Sequence, residues 1–161
     1  MKTWCLAAFA VATLGILAGC HLTPKSAAVH LDELQLYVET TERTGREWQL
    51  PQSGVTVTTD PQPIVDARSI TEVRVVPLDL GPALVLSLSP ASAATLTKRV
   101  GRDPKRLVLV SHDRALGIAH VNRDTQFSHL SMFVEMAVTD LSRWADSIQS
   151  RLRDPDRSAR E

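Results

Sequence analysis

Three consecutive residues carry the side-chain types of a serine hydrolase: Ser111, His112 and Asp113. A nucleophilic serine needs a histidine that approaches its hydroxyl laterally, and that histidine needs an acid on its far side. Neighbouring side chains point away from one another, so three successive residues cannot build this relay. The chain also lacks the G-x-S-x-G and S-x-x-K patterns of large hydrolase families. The three residues therefore indicate a turn, and we predict no catalytic residue.

The chain has five histidines, which raises the question of a metal site. No two of them stand four residues apart on a helix, or at the short strand spacing of a common zinc site. The carboxylates are scattered, so the sequence selects no pair for acid–base chemistry. The dispersed glycines form no phosphate-binding loop. We predict no metal site and no small-molecule cofactor, with one alternative left open: a weak site where His112, Asp113 and another histidine converge.

The first residues have the layout of a bacterial export signal. Lys2 supplies a positive charge, and Leu6–Ala18 follows as a run of 13 residues without a charge. A membrane-spanning helix needs about 20 apolar residues, so this shorter run matches the core of a signal peptide instead. It ends on Leu17-Ala18-Gly19-Cys20, which resembles the bacterial lipobox. We predict a lipoprotein signal peptide over residues 1–19 and lipid attachment at Cys20.

The lipobox resemblance implies that the Cys20 thiol receives a diacylglycerol, that the chain is cut before it, and that the new amino group is acylated. Two or three acyl chains such as palmitate anchor a protein stably in a membrane. The alternatives are a plain secretory signal or an anchor left uncleaved. His21 is not the acidic residue associated with inner-membrane retention in enteric bacteria. We therefore expect a periplasm-facing protein of the cell envelope, in the outer membrane rather than the inner membrane.

Loss of the signal changes the composition argument. Of the 161 residues, 142 would remain, which is enough for one hydrophobic core. Cys5 would leave with the signal and Cys20 would become a thioether, which excludes thiol nucleophiles, cysteine-bound metals and disulfides. The mature chain would carry 17 basic and 18 acidic side chains, since only Lys2 is lost. This balance argues against a nucleic-acid partner.

Residue patterns predict a lipidated tether over residues 20–29, one domain over residues 30–153 and a charged tail over residues 154–161. Alternating apolar residues predict seven strands: Leu31–Thr40, Val55–Thr59, Glu72–Val76, Ala83–Leu88, Leu107–Val110, Leu116–Val121 and Leu130–Met136. The polar stretch Thr41–Gln49 is predicted to be a loop. Ile64–Ile70 fits either a helical turn or an extended crossing.

Two helices complete the predicted domain. Ser89 and Pro90 are an N-cap and a first helical residue, and Gly101 suits the position after the last turn. The second helix, Thr139–Leu152, has an apolar stripe and Thr139 as its expected cap. Both stripes become buried if the helices pack on one face of a mostly antiparallel sheet. The predicted fold class is therefore α+β.

The order of these elements resembles the head part of the first periplasmic domain of SecD/SecDF, an accessory of the Sec translocon. The residues that carry the resemblance are Val55–Val57 before Pro63, Ile64-Val65, Ala83–Leu88 with Ser89 and the following helix, Arg106–Val110, Asp113–Ala119 and Thr139-Asp140-Leu141. The resemblance covers most of the domain and implies a shared fold and binding style. It does not carry over the proton-coupled pump of that family.

These features together predict a lipid-anchored, non-catalytic binding module of the periplasm. The membrane would hold it through the acyl chains on Cys20, and a protein or peptide of the envelope would dock on a sheet edge or beside a helix. The resemblance implies assistance to protein export or envelope assembly. One alternative is a structural lipoprotein that stabilises a membrane complex. Another is a small hydrolase with an unrecognised site, which would show a deep polar pocket.

The anchor can be tested by metabolic labelling with a palmitate analogue. The wild-type protein should incorporate the label, and the Cys20→Ala variant should not, because the acceptor thiol is gone. Cys5→Ala is the matched control and should keep the label, since Cys5 lies inside the predicted signal. Labelling of Cys20→Ala, or an unlabelled wild type, would contradict the prediction.

Overall fold

The structure, a computed structural model, describes residues 34–79, 81–101 and 103–153. The predicted signal peptide, Cys20, the predicted tether and the predicted tail lie outside these residues. The described part contains nine strands, two α-helices and a 3-10 turn. They are β1 (Gln35–Val38), β2 (Arg46–Gln49), β3 (Thr56–Thr59), β4 (Val65–Asp66), the 3-10 turn (Ala67–Ser69), β5 (Ile70–Leu78), β6 (Gly81–Leu88), α1 (Pro90–Val100), β7 (Lys105–Ser111), β8 (Arg114–Val121), β9 (His129–Val134) and α2 (Val138–Arg153).

Seven of the strands form one antiparallel sheet in the order β4-β1-β7-β8-β9-β6-β5. One of its hairpins has the turn that the sequence predicts, because His112-Asp113 joins β7 to β8, and β5 and β6 form another hairpin. The remaining strands, β2 and β3, pair with each other as a separate hairpin. The chain therefore has the predicted α+β architecture, with a small hairpin added to it.

Both helices pack on the same face of the large sheet. Leu96 and Val100 of α1 share one core with Leu141, Trp144 and Ile148 of α2. The sheet contributes alternate residues to this core: Leu34, Leu36, Val38, Val73, Leu84, Leu86, Leu107, Leu109, Leu130 and Met132. Full burial of one such side chain contributes roughly 1.5–3 kcal/mol. The two-helix face is thus the main source of hydrophobic stability, as the sequence predicts.

The ends of the helices test the predicted caps. The Ser89 hydroxyl accepts a hydrogen bond from the backbone N–H of Ser92 at 3.3 Å, and Gly101 follows α1 with a φ of 65°, so both predictions for α1 are confirmed. The prediction for Thr139 was wrong. The Ala137 carbonyl accepts the backbone N–H of Leu141 at 2.8 Å, and α2 begins at Val138. Thr139 therefore lies inside the first turn and does not cap it. Among the described residues, neither helix is long and apolar enough to cross a bilayer.

The prediction of a loop over Thr41–Gln49 was also wrong, because Arg46–Gln49 is strand β2. Only Trp48 of this strand is buried, and it pairs with Val57 of β3. A strand with one apolar residue has no alternating pattern to read, so its partner strand and the sheet beneath it specify its conformation. Residues 64–70, left ambiguous above, contain the short β4 and the 3-10 turn.

An ion pair joins the end of β1 to the start of β7. Glu39 directly follows β1, and Arg106 is the second residue of β7. The Arg106 guanidinium donates to the Glu39 carboxylate, and the Arg106 backbone N–H donates to the same carboxylate at 2.9 Å. The hydrogen bond from the Arg106 side chain lowers the pKa of Glu39, even though burial opposes it. The pair supports the edge of the sheet where β1 turns away from β7.

Gly117 in β8 lets the backbone of β9 approach closely. It pairs with Val134 of β9, and a Cβ atom at residue 117 would clash with the backbone carbonyl of Phe133. The backbone of β9 therefore occupies the space that a side chain would need. β8 and β9 can pair in this register only because residue 117 has no side chain.

We predict that Gly117→Ala lowers the free energy of unfolding by about 3 kcal/mol, the upper part of the range for overpacked sites. Gly101→Ala is the matched control: its φ is positive, but nothing lies within 4 Å of the added Cβ. Its cost should be about 2 kcal/mol and arise from backbone strain alone, because a φ of 65° with a ψ of −138° suits only glycine. Urea unfolding followed by circular dichroism measures both. A loss near zero for Gly117→Ala would show that β9 moves away at no cost.

Candidate functional site

The hairpin β2–β3 covers part of the second face of the large sheet. The side chains that it buries form a second, smaller core, consisting of Tyr37, Val108, Val110 and Ala115 from the sheet and Trp48, Leu50 and Val57 from the hairpin. Around β1, Leu34, Leu36 and Val38 alternate with Gln35, Tyr37 and Glu39, a pattern that predicts a half-buried strand. Tyr37, on the predicted outer face, is instead buried because the hairpin lies over it. This part of the sheet therefore has a core on both faces.

Trp48 attaches the hairpin to the sheet. Its indole N–H donates to the Thr59 hydroxyl at 2.9 Å, and its ring lies 5.1 Å from the Tyr37 ring in a tilted arrangement. The Arg46 guanidinium lies 4.0 Å from the centre of the Trp48 ring and binds Asp113 at 2.9 Å. Aromatic and cation–π contacts of this kind add to the area that the indole buries. The hairpin is thus held to β1 and to the β7–β8 turn.

Glu135 holds the tip of the hairpin. Its Oε2 atom accepts the backbone N–H groups of Gln52 at 2.7 Å and Ser53 at 3.0 Å. Burial raises the pKa of Glu135, but the hydrogen bonds from Ser53 and Gln52 outweigh it, so the pKa lies below its usual value. Glu135 directly follows β9, so this contact places the tip beside the end of β9.

Beyond the hairpin, the second face of the sheet is uncovered by any described residue. A transverse row of apolar side chains crosses four strands there, because the strand register aligns Ile118 with Phe133, Phe133 with Ala83, and Ala83 with Val76. We call these four residues the apolar row. Phe133 is 50% exposed, whereas Ala83 between its larger neighbours is 2% exposed. A half-exposed phenylalanine next to a small buried alanine makes a stepped surface.

Five polar residues and Val85 border the apolar row on the same face. Val85, Arg74 and Ser131 form the next row, and Ser87, Glu72 and His129 form the one after it. We call the apolar row and these six residues together the open face. Its members come from two parts of the chain, the β5–β6 hairpin and the strands β8 and β9.

Ser87 is the centre of a cross-strand hydrogen-bond network. Its hydroxyl donates to Glu72 Oε2 at 3.1 Å and lies 3.1 Å from His129 Nδ1. A hydroxyl has one hydrogen, and it goes to Glu72, so Nδ1 of His129 must be the donor in the second contact. Arg74 lies 3.2 Å from the other oxygen of Glu72. The network ties β5, β6 and β9 together at the border of the open face.

The same three side-chain types occur in serine hydrolases, but in a different order. There the histidine lies between the serine and the acid, so that its free nitrogen can take the hydroxyl proton. Here the serine lies between Glu72 and His129, so the histidine does not connect the hydroxyl to the acid. The geometry links strands and orients polar groups toward solvent. The hydrolase alternative gains no support from it.

The residues Ser111-His112-Asp113 form the turn that the sequence predicts. His112 and Asp113 both have positive φ, 49° and 59°, as a two-residue hairpin turn requires. Asp113 points to Arg46, and the buried Ser111 hydroxyl has no hydrogen-bond partner among the described residues. A surface cleft of about 270 Å³ lies next to this turn, lined by Arg46, Trp48, Pro51, Asp113 and Arg114 among others.

The structure places the described histidines apart. His112 is in the β7–β8 turn, His120 is in β8 and His129 is in β9. Within residues 34–153 as described, no three histidine, cysteine or acidic side chains come together in a way that could hold a metal ion. The convergence of His112 and Asp113 with a further histidine, left open above, is therefore not seen there.

The long edge strand β5 is partly blocked. The backbone N–H of Val73 donates to Gln149 Oε1 of α2 at 2.9 Å, which shows that Val73 directs its backbone away from β6. Alternate residues of a strand share this direction, so Val75 and Pro77 face outward as well. Pro77 has no N–H to offer. A bound strand would find one free donor between Gln149 and Pro77, which makes this edge a poor template for strand addition.

Comparisons with known proteins bear on the fold. No protein-family model matches the chain, and curated proteins show no match. A crystal structure of SecDF "in Super-membrane-facing form" superposes with a TM-score of 0.57 and 12% identity, covering 78% of this chain and 20% of that one. A second structure, of "a membrane component SecDF that enhances protein export", has a TM-score of 0.49 and 15% identity, covering 80% and 64%. The SecD-like fold is thus confirmed, and this chain spans about a fifth of the first structure.

Sequence reasoning missed the open face. It placed Phe133 on the outer side of its strand and Val85 opposite the leucines, but it gave neither residue a role. The available signal was an aromatic residue in the solvent-facing register of β9. The alignment of Phe133 with Ala83 and Val76 could not be read from the sequence, because strand order and register are tertiary properties.

We predict that Glu135→Ala releases the hairpin tip. The backbone amides of Gln52 and Ser53 should exchange with deuterium faster, because both lose their acceptor, and the exchange is measured by NMR or mass spectrometry. Glu47→Ala, which removes an exposed carboxylate from β2, should leave these amides unchanged.

The same contact has a predicted pH dependence. The folded-state pKa of Glu135 is below its unfolded value, so the contact stabilises the tip fully above the unfolded pKa and weakens as the pH falls through the folded one. Amide protection at residues 52 and 53, corrected for the intrinsic pH dependence of exchange, should fall over that acidic range. Protection that is unchanged by acid or by Glu135→Ala would refute the role of Glu135.

Proposed function

We propose that this protein is a lipid-anchored, non-catalytic binding module of the periplasm, and that its open face holds extended apolar segments of other envelope proteins. The observation that carries the proposal is the apolar row: four aligned side chains that run from Ile118, at the edge of the hairpin's core, past the half-exposed Phe133 to Val76. Aromatic residues, phenylalanine among them, are enriched at the cores of protein–protein interfaces.

The dimensions of the apolar row suit an extended peptide. Neighbouring strands lie about 4.8 Å apart, so the row measures roughly 14 Å from Ile118 to Val76, about the length of four extended residues. A peptide lying along the row would cross the strands, so it would not need a free strand edge. This matters because Gln149 and Pro77 block much of the β5 edge.

The polar border of the row suits a peptide backbone. Glu72 and Ser131 supply acceptors, while Arg74 and His129 supply donors, and all lie beside the apolar side chains. Such a mixture can satisfy peptide N–H and C=O groups without selecting a particular sequence. We therefore expect tolerance of many apolar segments, which fits a partner that is still unfolded.

The location and the class of partner rest on two further supports. The lipobox-like end of the signal supports attachment to the membrane through Cys20. The SecD-like fold supports a role with proteins that are being exported or assembled in the envelope, by analogy with that family. A structural role in one membrane complex is the main competing proposal.

Photo-crosslinking in cells tests the proposal. A photoreactive phenylalanine analogue at position 133 of the full-length protein should crosslink to several different envelope proteins. The same analogue at Thr95, an exposed residue of α1, is the control and should crosslink to few or none. One stoichiometric partner at position 133 would favour the structural lipoprotein instead. Equal crosslinking at both positions would refute the open face as a binding site.

A binding measurement supplies the magnitude. Phe133→Ala should weaken the binding of an unfolded apolar peptide about tenfold, since truncation of an aromatic anchor costs roughly 1–2 kcal/mol. The half-exposed position of Phe133 predicts little change in folding stability, so the variant separates binding from folding. Thr95→Ala is the matched control. Unchanged affinity for Phe133→Ala would contradict the proposal.

A further inference from the structure

One end of the large sheet is where the chain enters the domain. β1 begins there at Gln35, next to the end of β7, because Gln35 pairs with Val110. The antiparallel order brings the end of β5 and the end of β9 to the same side, with the β5–β6 and β7–β8 turns. We call this side the entry end.

The exposed large apolar residues lie at or near the entry end. Leu78 ends β5 and is 48% exposed, Val138 begins α2 just after β9 and is 55% exposed, and Val55 follows the hairpin tip and is 38% exposed. The hairpin tip belongs to this end because Glu135 binds it. Phe133 of the open face, one residue before the end of β9, is the fourth such residue among those described.

The opposite end of the sheet has a different chemistry. Charged side chains dominate it: Lys98 and Arg99 at the end of α1, Lys105 at the start of β7, and Arg123 and Asp124 after β8. No large apolar side chain is exposed there in the part of the chain that the structure describes. The two ends therefore differ in their compatibility with an apolar environment.

Part of the charge at the entry end is paired within the domain, although Asp79 and Arg114 are exposed there as well. Arg46 binds Asp113 at 2.9 Å, and Asp140 of the first turn of α2 lies 3.3 Å from Arg143. Glu135 receives two backbone N–H groups. Charges that are paired in this way cost less to bring to an interface than isolated ones.

The predicted anchor reaches this end first. Residues 21–33, a segment of 13 residues, connect Cys20 to Leu34, which directly precedes β1. Such a segment spans at most roughly 45 Å when fully extended, and about 20 Å as a flexible coil. The entry end is therefore the part of the domain that the anchor holds at the shortest distance from the bilayer.

We propose that the entry end rests on the bilayer that holds the acyl chains, with Leu78, Val138 and Val55 at the boundary between headgroups and acyl chains. The strands then stand away from the membrane, and the open face is directed sideways into the periplasm. This orientation rests on the proposed lipid anchor at Cys20. Apolar side chains held at this depth strengthen attachment in proportion to the area they bury.

Depth-dependent fluorescence quenching tests the orientation. The full-length lipidated protein carries Leu78→Cys or Val138→Cys, labelled with an environment-sensitive fluorophore, in vesicles of phosphatidylethanolamine and phosphatidylglycerol with brominated acyl chains. Arg123→Cys, at the opposite end, is the control. Quenching should be several-fold stronger at positions 78 and 138 than at 123. Equal quenching at all three positions would overturn the orientation.

The labelling step shows whether the proposed orientation alone is wrong or the proposed anchor is wrong as well. A lipidated Cys20 has no free thiol, so only the introduced cysteine takes up the fluorophore. Uptake at Cys20 would overturn the anchor and the orientation together, whereas a blocked Cys20 with equal quenching would overturn the orientation alone. Leu78→Asp should reduce quenching of the fluorophore at position 138 several-fold, while Thr95→Asp should not. Both variants change exposed residues, and circular dichroism checks that they fold.

Discussion

Trp48 attaches the β2–β3 hairpin to the large sheet, and the second core between them depends on this contact. The indole is buried against Tyr37 and bonded to Thr59, and it closes the second core over β1, β7 and the start of β8. Without this hairpin, Tyr37 and Val108 would face water on a broad apolar sheet. With it, the second face is divided into a covered half and an open half, and the boundary lies at Ile118.

That division sets what the open half can do. The hairpin reaches the end of β9, where Glu135 binds its tip, but it does not extend over β6 and β5. Phe133 therefore remains half exposed beside Ala83 and Val76, on a sheet whose opposite side is the main core. A surface backed in this way keeps its shape when a partner leaves. Since the β5 edge is blocked by Gln149 and Pro77, the face is the better recognition element of the two.

The elements that the sequence predicted well are those whose signals are local. The cap at Ser89 and the glycine after α1 are backbone requirements that two or three residues express, and both were found. The β7–β8 turn follows from the same kind of signal. β2 was missed because three of its four residues face solvent. The cap predicted at Thr139 was wrong because α2 begins earlier, with a hydrogen bond from Leu141 to the Ala137 carbonyl. β2 owes its structure to its pairing with β3, whereas the start of α2 is set by a local hydrogen bond between Leu141 and Ala137.

By itself the sequence determined the fold class and which side of each strand carries its leucines. These follow from local composition and from the period of two or 3.6 residues, which any chain of this pattern must express. Only the tertiary structure decided that Tyr37 is buried on the predicted outer face and that Phe133 is not. It also decided that Glu72, Ser87 and His129 meet across three strands. Strand order and register bring these residues together, and both arise from the packing of the whole sheet.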